Sequence, residues 1–211
     1  MATDEFSDDG AADGVVRVGV VAVQGDVAEH RGAVDRAADA LGLAVETVAV
    51  RDAGVLPDCD VAVLPGGEST TISSLIHREG IADEIRAHVD DGKPVLATCA
   101  GLIVLARDAG DDERVETLDL LGVTVQRNAY GRQRESFEAD VALAIDDAVD
   151  SEPFHAVFIR APRITDHGDA RVVGRLDDEP VAVAQGPVLA TSFHPELTDD
   201  PRIHAEVLAQ T

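Results

Sequence analysis

Four short apolar runs, rich in β-branched residues and separated by helix-like stretches, constrain this chain more than any other feature. Val16–Val23 is an almost continuous run of the kind buried on both faces of a sheet. Asp26–Leu41 then places Val27, Val34, Ala37, Ala38 and Leu41 on one helical stripe, with Gly42 as the stop. Strands follow at Ala44–Val50, Val61–Leu64 and Pro94–Thr98, alternating with helices at about Thr70–His77, Ile81–Asp90 and Ala100–Ala109. The alternation predicts a three-layer α/β fold, with an open, mostly parallel sheet flanked by helices. After Gly110 the pattern changes to short strands at Val123–Gln126, Phe137–Leu143, Val157–Arg160, Arg171–Leu176, Val181–Gln185 and Val188–Thr191, and Pro201–Gln210 reads as a closing helix. Residues 1–14, acidic and rich in small residues, read as a disordered leader, and 15–211 as one domain.

Composition narrows the setting. Apolar residues make up 45% of the chain but aromatics only 3%, so Val, Ala, Leu and Ile must build the core. The 41 acidic residues against 17 basic ones give a formal charge of −24, which argues against a nucleic-acid partner. Such a surface repels itself until salt screens it, and at about 1 M the Debye length falls to roughly 3 Å. A salt-rich cytoplasm accounts for the charge, and an acidic docking face for one basic partner is the compatible alternative. Two cysteines, Cys59 and Cys99, are too few for a disulfide framework and fit a reduced, cytoplasmic location. No run has the roughly 18 apolar residues of a membrane helix, and the acidic start does not resemble a signal peptide. The histidines outside the site described below (His30, His77, His88, His155, His167 and His204) show no metal-ligand spacing, so neither a metal nor another cofactor is expected.

Three segments carry chemistry. In Lys93–Ala106 a buried strand runs directly into an apolar helix with Cys99 at the junction, the arrangement of a nucleophile elbow. There the positive end of the helix dipole favours thiolate, and Gly101 lets helix and strand approach closely. Read alone, Cys99 also fits a small buried hydrophobe, the lesser of the two readings. The strand at Val188–Phe193 ends in His194-Pro195-Glu196. Side chains two apart on an extended chain face the same way, so Glu196 can orient His194 as a general base. Alone that triplet is an ordinary strand-end turn. Leu64–Thr71 is a glycine-rich turn at the carboxyl end of a strand, where open α/β sheets bind ligands. Its Gly67 N–H, with that of Ala100, can form an oxyanion hole. The lysine and spacing of a phosphate-binding loop are absent, and Ser69 or Thr70 serves as N-cap in the plain-turn reading.

The Pro65–Thr71 turn, the Cys99 elbow and the His194-Pro-Glu196 ending, in this order and spacing, resemble the triad-type, class I glutamine amidotransferases, whose fold is flavodoxin-like. Val23–Asp26, Arg127–Gln133, Ser136–Glu138 and Phe158–Pro162 narrow the resemblance to the glutaminase subunits of pyridoxal 5′-phosphate synthases, over about residues 16–210. That resemblance implies hydrolysis of L-glutamine to glutamate, with ammonia passed to a partner synthase subunit. It implies Cys99 as nucleophile, His194 and Glu196 as its triad partners, and Gly67, Glu68, Ser69, Arg127, Ile159 and Arg160 as glutamine-binding residues. An arginine fork suits the substrate α-carboxylate, and Glu68 its α-ammonium group. Ala97 stands where the family usually has glycine, so the turn must accept a methyl group. Other readings remain: a different class I amidotransferase, an elbow-cysteine hydrolase or peptidase, or a silent regulatory module that only binds its partner.

Overall fold

The structure, a computed structural model, describes residues 14–110, 114–127, 136–145 and 152–211. The expected leader lies outside these residues apart from Gly14, as does 128–135, which holds most of the Arg127–Gln133 motif.

The chain opens with β1 (Val16–Val21), α1 (Val27–Leu41), β2 (Val45–Val50), β3 (Val61–Leu64), α2 (Ser69–Arg78), α3 (Ile81–Asp90), β4 (Val95–Thr98) and α4 (Ala100–Leu105). It continues through β5 (Ala106–Asp108), β6 (Leu121–Gln126), β7 (Ser136–Leu143), β8 (Phe154–Ile159), β9 (Arg163–Asp166), β10 (Arg171–Leu176), β11 (Glu179–Gln185), β12 (Val188–Thr191) and α5 (Arg202–Leu208). Nine strands form one sheet in the order β2-β1-β3-β4-β12-β11-β10-β7-β8, and β5-β6-β9 form a second, small one. From β2 to β12 every pairing is parallel, and from β12 to β8 every pairing is antiparallel. The parallel half is the part that the βαβ alternation predicts.

Strands β3, β4 and β12 are buried at every residue, as strands covered on both faces must be. Their side chains alternate between two cores. Ala62, Leu64, Val95, Ala97, Val188 and Ala190 pack with Ile72 and Ile76 of α2 and Ile81 and Ile85 of α3. Val61, Val63, Leu96 and Leu189 pack on the opposite face, with Val34 and Ala37 of α1, Ile203 and Val207 of α5, and Phe154, Phe158 and Phe193. This is the expected three-layer arrangement. The methyl of Ala97 is fully buried in the first core, so the turn accepts it.

Two expectations change. The helix after Cys99 ends at Leu105, and Ala106–Asp108 forms β5 beside β6. All six residues of α4 are buried, so the apolar run carries no helical stripe to mark where helix becomes strand. The stripe of α1 is also different: Leu41 is 41% exposed, while His30 is fully buried with Ala33, Val34, Ala37 and Ala38.

Candidate active site

The ends of three adjacent parallel strands, β3, β4 and β12, deliver the three chemical segments to one edge of the sheet. Cys99 follows β4 with φ 48° and ψ −100°, a conformation that L-residues rarely hold. It is fixed there by its N–H, which donates to the Thr191 carbonyl of β12 at 2.8 Å. Its side chain is nearly buried, with Sγ 3.9 Å from the carbonyl oxygen of Ile159. Gly101 makes the turn possible, because a Cβ there would lie 2.3 Å from the Leu64 carbonyl oxygen.

His194 follows β12 and is held by its N–H, which donates to the Val157 carbonyl at 2.9 Å. Its Nδ1 lies 2.7 Å from Glu196 Oε1, both side chains being buried. The pairing is the expected one, but the backbone is not extended: Pro195–Leu197 form a 3₁₀ turn that folds the carboxylate back onto the ring. With Nδ1 committed to Glu196, Nε2 is left to serve the thiol. Burial opposes a charge on His194, but hydrogen bonding and attraction from Cys99 and Glu196 outweigh it and push its pKa up to about 10. Burial raises the Glu196 pKa, and His194 offsets part of that. The pair therefore sits well as imidazolium and carboxylate, the state a thiolate needs opposite it.

A cleft of about 500 Å³ opens over Cys99 and His194. Of the residues singled out from the sequence, Gly67, Glu68, Ser69, Arg127, Ile159 and Arg160 all line it; Glu196 and Ala100 are buried behind it. Ala100 is the first residue of α4, where a backbone N–H has no intrahelical acceptor. Gly67 has φ 147°, and the next N–H, of Glu68, donates to Gln24 Oε1 at 2.8 Å. The buried Ser69 hydroxyl has no partner among the described residues.

Glu68, not Ser69 or Thr70, is the N-cap of α2. Its Oε2 accepts from the Thr71 N–H and hydroxyl, each at 2.9 Å, and from the Thr70 hydroxyl. Its Oε1 lies 3.3 Å from Arg127 Nη2. The Thr70 hydrogen bond leads the causes that hold its carboxyl down to about 2. Arg160 also stands at positive φ, 44°, on the cleft rim, with no acidic partner at ion-pair distance among the described residues.

Gln24, Asp26, His30 and His204 are among the residues of this region whose place the sequence reading missed. Asp26, at the start of α1, lines the cleft with Oδ2 3.7 Å from His194 Nδ1. His30 and His204 lie behind Glu196, fully buried. Their signal was present, since both occupy apolar-stripe positions of their helices: His30 precedes Val34 by four, and His204 precedes Leu208 by four. Asp26, His194 and Glu196 are the described trio close enough to share a metal ion. The Nδ1 it would use already makes the His194–Glu196 hydrogen bond, so the trio reads as part of the triad.

A cysteine, a histidine and a glutamate converge from neighbouring strand ends of a three-layer α/β fold, an arrangement that suits a class I glutamine amidotransferase. A comparison with family models matches residues 20–210 to the SNO glutamine amidotransferase family, and the chain belongs to that family. Among curated relatives, the pyridoxal 5′-phosphate synthase subunit PdxT of Halorubrum lacusprofundi is 63% identical over 190 residues, spanning 90% of this chain and 94% of its own. The protein of the same name from Haloarcula marismortui gives the same identity and coverage. A solved structure described as a glutamine amidotransferase is 45% identical, with TM-score 0.78 over 91% of this chain and 97% of its own. A glutamine amidotransferase from Thermotoga maritima, 15% identical with TM-score 0.60 over 93% of this chain and 82% of its own, shares the fold.

Proposed function

We propose that this chain is the glutaminase subunit of a pyridoxal 5′-phosphate synthase, hydrolysing L-glutamine and delivering ammonia to a synthase subunit. The observation that carries the reading is the buried His194–Glu196 pair, 2.7 Å apart, beside a cysteine held at φ 48° on a strand end. Family membership and the relatives from halophilic organisms support the same reading.

Thiolate attack by Cys99 on the side-chain carbonyl of glutamine puts a negative charge on the carbonyl oxygen, which the N–H groups of Gly67 and Ala100 stabilise. His194 gives its proton to the amide nitrogen, the C–N bond breaks, and ammonia leaves a γ-glutamyl thioester on Cys99. A water molecule, losing its proton to His194, attacks the thioester; the C–S bond breaks, and glutamate and the resting cysteine pair are restored. Glu196 holds Nδ1 protonated throughout. The substrate is a zwitterion, and the cleft offers both signs of charge. Arg160, unpaired among the described residues, suits the α-carboxylate, with Arg127 in support. Glu68, whose Oε2 serves Thr70 and Thr71 and whose Oε1 faces Arg127, is the carboxylate of the cleft suited to the α-ammonium, and the orphan Ser69 hydroxyl supplies a further contact.

No helix of the described residues is long and apolar enough to cross a membrane, and both cysteines are free. A catalytic thiol fits the reducing cytoplasm. The test is glutamate release from glutamine in molar salt, with and without the synthase subunit, beside a peptide-cleavage assay. Partner-stimulated glutaminase activity is expected. Peptide cleavage without glutamine turnover, or synthase binding with neither activity, overturns the reading.

A further inference from the structure

The triad does not end at Glu196. Its second oxygen, Oε2, is buried, and the described residues give it no hydrogen bond at ordinary distance. What faces it is His30 Nε2, 3.4 Å away, an atom that also lies 3.2 Å from Thr98 Oγ1. His30 Nδ1 in turn lies 3.1 Å from His204 Nε2, and His204 Nδ1 is buried without a partner. A line of groups thus runs from Cys99 through His194, Glu196 and His30 to His204, crossing from β4 and β12 to α1 and α5.

The orphan atoms decide where the protons sit. A buried N–H left without an acceptor is rarer in folded proteins than an acceptor left without a donor, so the His204 proton belongs on Nε2, not on Nδ1. That N–H must donate to His30 Nδ1, which makes Nδ1 an acceptor and places the His30 proton on Nε2. There it has Thr98 Oγ1 as its hydrogen-bond partner at 3.2 Å and Oε2 of Glu196 beside it at 3.4 Å, close enough for the proton to be shared. The opposite ordering fails twice: it buries an unpartnered His204 Nδ1–H and turns a nitrogen lone pair toward a carboxylate oxygen. Both rings remain neutral in this arrangement. Burial, followed by repulsion from His204 and His194, holds the His30 pKa well below its usual value. Burial, followed by repulsion from Arg36, lowers that of His204 to about 3.

We propose that His30, fixed in its Nε2–H tautomer by His204, is a positioning residue that keeps Glu196 ionised by donating to its second oxygen. The inference rests on the glutaminase reading for its functional consequence. Glu196 is under opposing pressures: burial and the nearby Asp26 carboxylate favour its protonation, while His194 at Oε1 and a hydrogen bond from its own backbone N–H oppose it. His30 is the ring that faces Oε2. Arg36, the other charge near these rings from α1, has its Nη2 donating to the Thr198 carbonyl at 2.8 Å, and its charge acts on His204. Once Glu196 takes a proton, His194 loses the charge that stabilises its imidazolium, and the thiolate opposite becomes less favourable.

The primary test needs neither glutamine nor partner: the rate of Cys99 alkylation by iodoacetamide as a function of pH, read by mass spectrometry in molar salt. In His30→Leu the acid limb is expected to move up by about one pH unit or more, the effect of losing one charge-assisted hydrogen bond. His30→Gln, whose amide can donate to Glu196 and accept from His204, should return the limb to within about 0.3 of a unit of the parent. In the parent, imidazole ¹H–¹⁵N spectra should show both rings neutral and protonated at Nε2 from pH 6 to 8. A His30 protonated at Nδ1, a limb unmoved in folded His30→Leu, or equal displacement in the Leu and Gln variants overturns the proposal. If His30→Leu does not fold, His204→Leu takes its place, with a smaller shift in the same direction expected and no shift overturning it. Because alkylation is independent of substrate, failure of the proposal is distinct from failure of the glutaminase reading, which appears as a parent protein without glutamate release.

Discussion

Gly101→Ala is a single methyl group that should cost far more activity than stability. The added Cβ would meet the Leu64 carbonyl oxygen at 2.3 Å, its carbon at 3.0 Å and the Leu64 Cβ at 3.1 Å. Reaching ordinary contact requires about 1 Å of separation between α4 and β3. Leu64 cannot recede, because β3 is hydrogen-bonded on both sides, to β1 and β4, and buried throughout. The movement therefore falls on the α4 elbow, two residues from Cys99, and on the turn that leads from Leu64 to Gly67. Overpacking of this kind costs about 1–3 kcal/mol of stability. A displacement near 1 Å between nucleophile and oxyanion donor costs on the order of 10² in rate. Gly92→Ala is the control: it lies far from the cleft at φ 74° with open space around it, so it carries only the left-handed strain of about 1–2 kcal/mol. Urea melts and steady-state glutaminase assays with the synthase subunit separate the two effects. Equal stability losses with a rate defect confined to Gly101→Ala support the reasoning. A Gly101→Ala protein within twofold of the parent turnover refutes it.

Cys99→Ala should lose about four to six orders of magnitude in glutaminase rate with little change in its melt; a tenth of the parent rate would remove the nucleophile assignment. Thermal midpoints in a chloride series should rise from low to molar salt, since the −24 charge is then screened, and a flat or falling series counts against salt adaptation. His204 binds no proton in the fold until about pH 3, whereas the unfolded chain takes one near 6.5, so stability is lost as pH falls through that window. Denaturant melts between pH 6.5 and 5 should give a shallower loss for His204→Phe than for the parent, and equal slopes would show the burial argument to be mistaken. Docking of the synthase should raise the turnover number more than it changes the Michaelis constant, because one rotation of the Gly66–Gly67 peptide presents or withdraws an oxyanion donor worth about 10² to 10³ in rate. Full turnover by the free chain would exclude that control.

The parallel half of the sheet was legible because each strand there is short, apolar and followed by a turn signal: β3 and β12 fall where the sequence put them, as does α3 between Gly80 and Asp91. Local pattern failed where local pattern was uniform. The run Leu102–Ala106 suits helix and strand alike, and β9 is four residues with only Ile164 buried to mark it. The His194–Glu196 pairing was readable from a two-residue spacing, although the 3₁₀ turn that produces it was not. Glu68 was missed as N-cap because its longer side chain must curl back to reach the Thr71 N–H, a geometry that capping preferences do not encode. His30 and His204 were missed because their meaning lies in each other, and nothing local links two positions 174 apart.

The same separation governs when the site can exist at all. Cys99 follows β4, but His194 and Glu196 arrive only with β12, which lies between β4 and β11 and comes after the other antiparallel strands in the chain. Until that insertion β4 has an unpaired edge, and Cys99 lacks the Thr191 carbonyl that fixes its strained backbone. The final docking of α5 against α1 then brings His204 to His30. Closing contacts over such long stretches is entropically late in folding. A partly folded or partly synthesised chain therefore carries an inert thiol, and glutamine is exposed to a competent cysteine only after the whole sheet has closed.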